Sequence, residues 1–269
     1  MGEQVKSEMN IAVVQAYVEL GDPDANLKRM LDLMEKAASA EEKPDVIVLP
    51  EMWNTGYALD RIRDIADPEG RRLPEQLSAF AHSHGIQVVG GSIAENIGGQ
   101  IYNSMYVFGR NGEQLAKYSK IHLFRLMDEE KHLQAGEQVV SFELEGITAG
   151  ASICYDIRFP ELSRTLALAG AQVLFVPAQW PHPRLHHWRT LLMARAIENQ
   201  MYVVACNRVG TSGDTDFFGH SMIIDPWGEI VAEGGEEEVV LTGKIDRALP
   251  GEVRQRIPVF EDRRPRLYF

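Results

Sequence analysis

The sequence contains little cysteine, no long apolar run and no excess of positive charge. Two cysteines in 269 residues, Cys154 and Cys206, are too few for the disulfide framework of a small secreted domain. The first eight residues, Met-Gly-Glu-Gln-Val-Lys-Ser-Glu, lack the apolar core of a signal peptide. Apolar runs such as 45–50 are far too short to span a bilayer. We therefore expect a cytoplasmic protein that is not embedded in a membrane.

The charge balance of the chain is acidic. The formal net charge is −12 at pH 7, and no window supplies the basic patch that a nucleic acid or an anionic membrane would require. No glycine-rich phosphate loop is present either. The acidic run 233–238 is typical of a solvated hairpin, and we assign no function to it. The acidic balance therefore works against nucleic acid and membrane as partners and favours solubility.

Apolar runs of strand length alternate with helical patterns along the whole chain. The hydrophobic content is 45%, and no linker or repeat divides the sequence, which favours one domain over residues 1–269. Strand-like runs occur at 10–18, 46–49, 87–93, 105–108, 148–153, 172–176, 202–206 and 221–224, and helical patterns at 24–40, 73–84, 159–168 and 185–200. The alternation predicts an α/β fold in which helices cover sheets.

Cys154 is the candidate nucleophile. It ends the apolar run of Gly150-Ala-Ser-Ile-Cys-Tyr-Asp-Ile-Arg-Phe-Pro-Glu-Leu162, and a helical pattern begins just after it. A thiol at such a corner faces a helix N-terminus, whose positive partial charge favours the thiolate. The alternative is a buried cysteine that packs as a small apolar residue. We assign that second role to Cys206, which has no cluster of polar residues beside it.

Two further residues could support a reactive thiol. Glu51 follows the apolar run and proline of Asp45-Val-Ile-Val-Leu-Pro-Glu51, where a partly buried carboxylate can serve as a general base. A surface carboxylate that caps a turn is the alternative. Lys120, in Tyr118-Ser-Lys-Ile-His-Leu-Phe124, is an ammonium among aromatic and apolar neighbours. It could stabilise negative charge that develops on a substrate, although most lysines are solvated surface residues.

Together the three segments resemble a known signature. Leu-Pro-Glu51, Lys120-Ile-His-Leu-Phe and Ser-Ile-Cys154-Tyr-Asp-Ile-Arg-Phe-Pro-Glu occur in this order, and the likeness extends from Asn10-Ile-Ala-Val-Val-Gln to Asp225-Pro-Trp-Gly-Glu-Ile. The chain resembles the nitrilase superfamily, the carbon–nitrogen hydrolases. The resemblance implies Cys154 as nucleophile, Glu51 as general base and Lys120 as stabiliser of the tetrahedral intermediate. It implies no metal and no organic cofactor.

The resemblance also implies a fold, an assembly and a second glutamate. The expected fold is a four-layer α-β-β-α sandwich, with two mixed sheets face to face and helices outside. Two subunits would pack helix against helix as a homodimer, with the C-terminal tail 249–269 crossing to its neighbour. Many members carry another glutamate after the lysine motif. Counting back from Gly136 favours Glu129 for this position, with Glu130 as the reserve.

Within the superfamily, the chain looks most like the ω-amidase-type branch. Segments 177–184, 188–200 and 207–210 carry this likeness. It implies 2-oxoglutaramate or its shorter homologue as the substrate, hydrolysed to a dicarboxylate and ammonia. The candidate substrate-binding residues are Tyr57, Phe124 and Trp180 as pocket walls and Tyr155 as an oxyanion donor through its backbone N–H. Core packing is the alternative for the aromatic side chains.

The carboxylate of such a substrate would need a cation or several N–H donors. Arg158 and Arg184 are both possible partners. Arg158 could equally form a structural ion pair with Asp156 or Glu161. The sequence therefore leaves this contact open.

Other functions also stay open. The same triad serves nitrilases, N-carbamoyl amidases and aliphatic amidases, and a non-catalytic binding protein could share the fold. A papain-like cysteine hydrolase would use a histidine base, for which His122 is the candidate. His182, His186 and His187 have a spacing that can bind metal, but no carboxylate or thiol completes the set. We expect these imidazoles to cap a helix or to line a pocket.

Overall fold

The computed structural model describes residues 7–268, so residues 1–6 of the N-terminal segment and Phe269 of the tail lie outside the described residues. The strands are β1 (Glu8–Gln15), β2 (Val46–Val48), β3 (Asp67–Pro68), β4 (Gln87–Val89), β5 (Ile93–Ile97), β6 (Gln100–Phe108), β7 (Gln114–Ser119), β8 (Ser141–Leu144), β9 (Ile147–Ala151), β10 (Val173–Ala178), β11 (Tyr202–Asn207), β12 (Val209–Ser212), β13 (Thr215–Phe218), β14 (Met222–Ile224), β15 (Ile230–Glu233) and β16 (Val239–Asp246). The helices are α1 (Pro23–Ala38), α2 (Ile62–Ile65), α3 (Arg72–His84), α4 (Glu129–His132), α5 (Pro160–Leu168), α6 (Leu185–Asn199) and α7 (Leu249–Arg256).

Two mixed sheets form the centre of the molecule. In the first, the strand order is β16-β1-β2-β4-β6-β5-β3, and β7 also pairs with β6. In the second, the order is β15-β14-β11-β10-β9-β8. The middle strands of each sheet run parallel to one another, with β1, β2 and β4 in the first and β9, β10 and β11 in the second. Parallel strands require crossover connections, which the helices provide.

The alternation of side chains along β1 explains the layering. Met9, Ile11 and Val13 pack into the core between the sheets, whereas Ala12 and Val14 pack on the opposite face beneath α1 and α3. Successive side chains of a strand point to opposite faces, so a strand with helices on one side and a sheet on the other is apolar throughout. On the far side, the core continues through the second sheet to α5 and α6. The expected four-layer α-β-β-α sandwich is confirmed.

One expectation from the sequence is wrong in part. The acidic run 233–238 is solvated over residues 235–238, as expected, but it is not a hairpin, because β15 pairs with β14 in the second sheet and β16 pairs with β1 in the first. The run crosses from one sheet to the other. Glu233 pairs with Arg189 at 2.6 Å, and Glu238 with Arg29 at 3.2 Å. Charged partners from distant parts of the chain hold this crossover in place.

The tail presents apolar side chains to solvent. Beyond α7, the side chains of Ile257, Leu267 and Tyr268 are exposed. The homodimer that would cover them stays a prediction. Within residues 7–268, the helices are too short or too polar for any of them to cross a bilayer.

Candidate active site

Cys154 lies at a strained corner. It follows β9 and begins a 3₁₀ turn over Cys154–Arg158, with a φ of 47° that non-glycine residues rarely adopt. The first hydrogen bond of the turn joins Asp156 N–H to Ile153 O at 3.0 Å, so the N–H of Tyr155 has no partner within the turn. The Asp156 carboxylate accepts the Ile153 N–H at 2.8 Å. The turn therefore presents the thiol and a free backbone donor side by side.

Asp156 also connects this turn to the lysine segment. Its buried carboxylate accepts hydrogen bonds from the Tyr118 hydroxyl at 2.7 Å and from the His122 N–H at 3.1 Å, and it lies 2.8 Å from His122 Nδ1. The His122 ring stacks on Phe159, with ring centroids 3.6 Å apart. Since Tyr118 and His122 flank Lys120, this one carboxylate fixes the lysine segment against the cysteine turn. The sequence did not single out Asp156 for this role.

Glu51 is fully buried and accepts hydrogen bonds on both carboxylate oxygens. Oε1 accepts from Lys120 Nζ and from Asn103 Nδ2, each at 2.8 Å. Oε2 accepts from the backbone N–H of Gln179 at 2.7 Å. Asn103 lies in β6 of the first sheet, Lys120 follows β7 of the same sheet, and Gln179 follows β10 of the second, so the carboxylate is fixed where the two sheets meet. Its negative charge acts on the nearby thiol of Cys154 and raises the pKa of that thiol.

Lys120 lies between two carboxylates. Its ammonium is fully buried, 2.8 Å from Glu51 Oε1 and 2.7 Å from Glu129 Oε1. The Tyr57 hydroxyl is 2.9 Å from Glu51 Oε1 and 2.6 Å from Glu129 Oε1, so its one proton can serve either carboxylate. The other oxygen of Glu129 accepts the Phe124 N–H at 2.9 Å. The structure thus places Glu129 in the cluster.

Glu130 takes no part in this cluster. Glu129 is the buried first residue of α4, and Glu130, the next residue, is exposed to solvent. The sequence alone could not choose between two adjacent glutamates. The tertiary structure decides between them, because α4 turns Glu129 towards the interior and Glu130 towards solvent.

The surroundings of Cys154 set the charge state of its thiol. Burial raises the pKa of the Cys154 thiol well above its usual value, and the carboxylate of Glu51 raises it further, while Lys120 opposes the rise. The element after Cys154 is a short 3₁₀ turn rather than a long helix, and its dipole does not dominate. The resting side chain is therefore a neutral thiol that needs a base, which agrees with the role of general base expected for Glu51.

Burial and neighbouring charges shift the pKa values of three other groups in the cluster, Lys120, Glu129 and Tyr57. Burial alone would lower the pKa of the Lys120 ammonium, but the carboxylates of Glu129 and Glu51 raise that pKa well above its usual value. Burial also raises the pKa of Glu129; Lys120 opposes this shift and Glu51 adds to it. The pKa of Tyr57 is raised well above its usual value by burial and then by the two glutamates. Lys120 is therefore a permanent cation, and Tyr57 a permanent neutral donor.

A narrow pocket of about 280 Å³ opens above Cys154. It is lined by Tyr57, Phe124, Met127, Tyr155, Arg158, Gln179, Trp180, Pro181 and Arg184 together with Cys154 itself. The four residues expected to bind substrate are among these. A narrow pocket lined by aromatic rings and a few polar and charged groups suits a small molecule.

Two guanidinium groups reach this pocket. Arg158 lies over the Trp180 ring at 4.7 Å, and Arg184 over the Phe124 ring at 5.8 Å. Within residues 7–268, Arg158 forms no ion pair with Asp156 or Glu161; its Nη2 is 3.4 Å from His187 Nδ1. The structural ion pair that the sequence allowed for Arg158 is thus not formed. Both cations are available to an anionic group in the pocket.

The histidines near the start of α6 contact other side chains. The His182 ring lies against Phe218, with centroids 5.2 Å apart, and His187 is beside Arg158. Throughout the described range 7–268, His, Cys, Asp and Glu side chains form no group of three or more that could hold a metal ion.

Sequence reasoning missed three residues that hold the cluster together. They are Asn103 and Gln179, which bond to Glu51, and Asp156, which holds the cysteine turn. A signal was available for Asn103, because it is a polar residue in the apolar strand β6. Gln179 follows the wholly apolar β10 in the same way. Their hydrogen-bond partners lie in distant parts of the sequence, so the local pattern of polar and apolar residues could not identify them.

Comparisons with known proteins identify the family. The chain matches the family Carbon-nitrogen hydrolase over residues 10–255. It is 46% identical to a 2-oxoglutaramate amidase of Bacillus subtilis, with 96% of this chain and 98% of that protein covered. It is 36% identical to omega-amidase NIT2 of Danio rerio, with 97% of each covered. Among solved structures, Saccharomyces cerevisiae Nit3, a member of branch 10 of the nitrilase superfamily, superposes with a TM-score of 0.87 at 32% identity, covering 94% of this chain and 96% of Nit3. The chain therefore belongs to the carbon–nitrogen hydrolase family.

Proposed function

We propose that this protein hydrolyses a small ω-amide of a dicarboxylate through a cysteine thioester, with 2-oxoglutaramate as the leading substrate. The observation that carries the proposal is the meeting of Glu51, Lys120 and Cys154 at the base of a narrow pocket that two arginines also reach. A neutral thiol beside a fixed carboxylate and a permanent cation has the parts that acyl transfer needs. The 46% identity to a 2-oxoglutaramate amidase supports the choice of substrate.

In the first half-reaction, Glu51 accepts the proton of the Cys154 thiol while sulfur attacks the amide carbon. The C=O bond becomes a C–O⁻ bond, and the oxyanion is held by the Lys120 ammonium and the N–H of Tyr155. Lys120 has three N–H donors, of which Glu51 and Glu129 take two; the third makes only a long contact of 3.5 Å to the Tyr57 hydroxyl and can turn to the oxyanion. The proton on Glu51 passes to the amide nitrogen, the C–N bond breaks and ammonia leaves. The acyl group remains on sulfur as a thioester.

In the second half-reaction, Glu51 accepts a proton from a water molecule that attacks the thioester carbon. The same two donors hold the second oxyanion. The C–S bond then breaks, the acid leaves, and the proton on Glu51 returns to sulfur. The balance is amide plus water giving acid plus ammonia, with the enzyme restored. Glu129 and Tyr57 touch Lys120 and Glu51 and keep their charges and positions through both halves.

The pocket cations support a substrate with a carboxylate at the end away from the amide. Arg158 and Arg184 line the same pocket as Cys154. They lie over the aromatic rings of Trp180 and Phe124, and this stacking fixes the plane of each guanidinium. A planar guanidinium can bind a carboxylate through two parallel hydrogen bonds. We assign the carboxylate of the substrate to this pair.

A substrate panel with ammonia detection tests the proposal. The panel contains 2-oxoglutaramate, 2-oxosuccinamate, glutamine, an N-carbamoyl amino acid, a simple nitrile and a neutral aliphatic amide. We expect the highest kcat/KM for an ω-amide of a 2-oxo dicarboxylate, and no turnover by Cys154→Ala at unchanged Tm. A preference for the nitrile or the carbamoyl compound would refute the substrate, and turnover by Cys154→Ala would refute the chemistry.

Arg158→Met examines the carboxylate site within the same panel. A hydrogen bond to a charged group is worth about 1.5–3 kcal/mol, so kcat/KM for the dicarboxylate amide should fall about ten- to hundredfold. The neutral amide is the control, since it has no carboxylate to lose, and its kcat/KM should stay the same. Equal losses for both amides would mean that Arg158 acts on the pocket as a whole.

A further inference from the structure

Arg208 is a buried cation that the proposed chemistry does not use directly. Its side chain is fully buried, and within residues 7–268 no carboxylate lies at ion-pair distance from it. Nη2 donates to Val18 O at 2.8 Å, and the guanidinium lies 4.3 Å from the centre of the Phe217 ring. Burial lowers the pKa of Arg208 to about 10. The Glu19 carboxylate acts on Arg208 only at longer range. A buried guanidinium without an ion-pair partner in contact costs folding free energy, so its presence calls for a reason.

One contact of Arg208 points towards the active site. Nη1 donates to Gln179 Oε1 at 3.2 Å. On its other side, Gln179 Nε2 donates to Glu51 O at 2.7 Å and more weakly to Met52 O at 3.3 Å. The backbone N–H of Gln179 donates to Glu51 Oε2 at 2.7 Å. Gln179 therefore holds Glu51 at two points. Its side-chain amide binds the main-chain carbonyl of Glu51, and its backbone N–H binds the Glu51 carboxylate.

The chemistry of arginine fixes the direction of this chain of bonds. A guanidinium has donors and no acceptor, so only the oxygen of the Gln179 amide can face it. The amide nitrogen must then face the carbonyl oxygens of Glu51 and Met52. The carbonyl oxygens of Glu51 and Met52 require the same orientation, because a turned amide would set an oxygen against them. The guanidinium therefore adds a third contact that holds the Gln179 amide in the orientation that binds Glu51.

Asn207, the residue before Arg208, forms hydrogen bonds to the same segment, residues 178–180. Asn207 Oδ1 accepts the Trp180 N–H at 2.7 Å, and its Nδ2 donates to Trp180 O at 3.1 Å. The N–H of Arg208 donates to Ala178 O at 3.3 Å. Two consecutive residues at the end of β11 therefore hold the three residues at the end of β10. The position of Gln179, and through it that of Glu51, therefore depends on the position of β11.

We propose that Arg208 is a positioning residue for amide hydrolysis, which acts through Gln179 to hold the Glu51 carboxylate against the Cys154 thiol. The inference rests on the proposed function. Arg208 does not line the pocket, so it has no direct contact with a bound amide. Its effect should therefore fall on kcat, which depends on how Glu51 is aligned, and not on KM.

Arg208→Met and Arg208→Lys give the first measurement. Methionine removes the charge and all donors, and lysine keeps the charge without the planar fork. Loss of a partner that orients a reacting group typically costs about ten- to hundredfold in activity. We expect kcat of Arg208→Met to fall by this factor at unchanged KM, and Arg208→Lys to recover part of the loss. A wild-type kcat in Arg208→Met would overturn the proposal.

A double-mutant cycle separates positioning from general damage. Gln179→Leu removes the link between Arg208 and Glu51. If Arg208 acts through Gln179, the double variant should be no slower than Gln179→Leu alone. Losses that multiply would overturn the proposal, because they would mean independent roles.

Arg110→Met is the matched control. Arg110 is a partly buried arginine that donates to Gly85 O at 2.7 Å and pairs with Asp45 and Glu145. Asp45 precedes β2, whereas Glu51 follows it, so this cluster lies at the opposite end of the strand from the general base. Its loss should lower Tm and leave kcat per folded enzyme unchanged. A fall in kcat equal to that of Arg208→Met would overturn the specific role of Arg208.

Alkylation of Cys154 gives a readout that needs no substrate. The thiol reacts with iodoacetamide as its proton passes to Glu51, so a misplaced Glu51 should slow the reaction at neutral pH. We expect slower alkylation in Arg208→Met and Gln179→Leu, and the wild-type rate in Arg110→Met. If the wild-type enzyme hydrolyses no amide, the proposed function fails, while these rates still decide the role of Arg208. Equal rates in all four proteins would overturn it.

Discussion

Removal of the Lys120 ammonium should affect stability and activity together, in a way that depends on pH. Lys120→Met keeps an unbranched side chain that is one atom shorter and deletes a buried cation that lies 2.8 Å from Glu51 and 2.7 Å from Glu129. Two carboxylates then share a buried site without a positive charge. Loss of one partner of a buried ion pair costs about 3–5 kcal/mol.

The magnitude can be expressed in measurable quantities. For chains slightly shorter than this one, 1 kcal/mol shifts Tm by about 2–4 °C, so we expect Tm to fall by about 6–20 °C near neutral pH. The loss of a donor to the oxyanion should lower kcat by about 10²–10³. Thermal unfolding followed by circular dichroism gives the first value, and the ammonia assay gives the second.

The pH dependence follows from Glu129. Its folded-state pKa is already raised, first by burial, and without Lys120 the opposing effect is lost and the pKa rises further. A group with a raised folded-state pKa stabilises the fold fully below the unfolded value of about 4.3, and this stabilisation disappears as pH rises through the folded value. The difference in unfolding free energy between wild type and Lys120→Met should therefore be smaller at pH 5 than at pH 8.

A second variant isolates the cause. Lys120→Met combined with Glu129→Gln removes one of the two facing carboxylates, so part of the lost stability should return and its pH dependence should disappear. Activity should stay low, since the cation is still absent. If Lys120→Met unfolds with the wild-type free energy at both pH 5 and pH 8, the reasoning from buried charge is refuted.

Two further substitutions examine the cysteine turn and the second thiol. Asp156→Asn sets an amide N–H₂ against donors that now bind a carboxylate, which should lower the free energy of unfolding by about 1–3 kcal/mol and also lower kcat. His122→Phe keeps the stack on Phe159 and should lower the free energy of unfolding by less. Equal losses in chemical denaturation would contradict this ranking. Cys206→Ala removes a thiol that donates to Val14 O at 3.2 Å. We expect a loss of about 1 kcal/mol with kcat unchanged, and a fall in kcat would mean that this thiol is more than packing.

The sequence alone determined the layers of the fold and the identity of the central residues. The strand-like runs near β1, β2, β9, β10 and β11, and the helical patterns near α1, α3, α5 and α6, lie where the structure has these elements. Their signal is local, because the periodicity of apolar residues reflects the faces that each element buries. Short strands such as β12 and β13 escaped prediction because four residues, partly exposed, carry too little periodicity.

Only the tertiary structure decided which groups surround the thiol. Gln179 is 128 positions from Glu51 in sequence, and its hydrogen bonds to Glu51 exist because the ends of β2 and β10 meet where the two sheets face each other. The same meeting buries Cys154 beside a carboxylate, and both effects raise the pKa of the thiol, opposite to the effect that a helix N-terminus alone would have. The burial of a side chain and the charges around it depend on contacts between distant segments. The local pattern of polar and apolar residues does not contain these contacts.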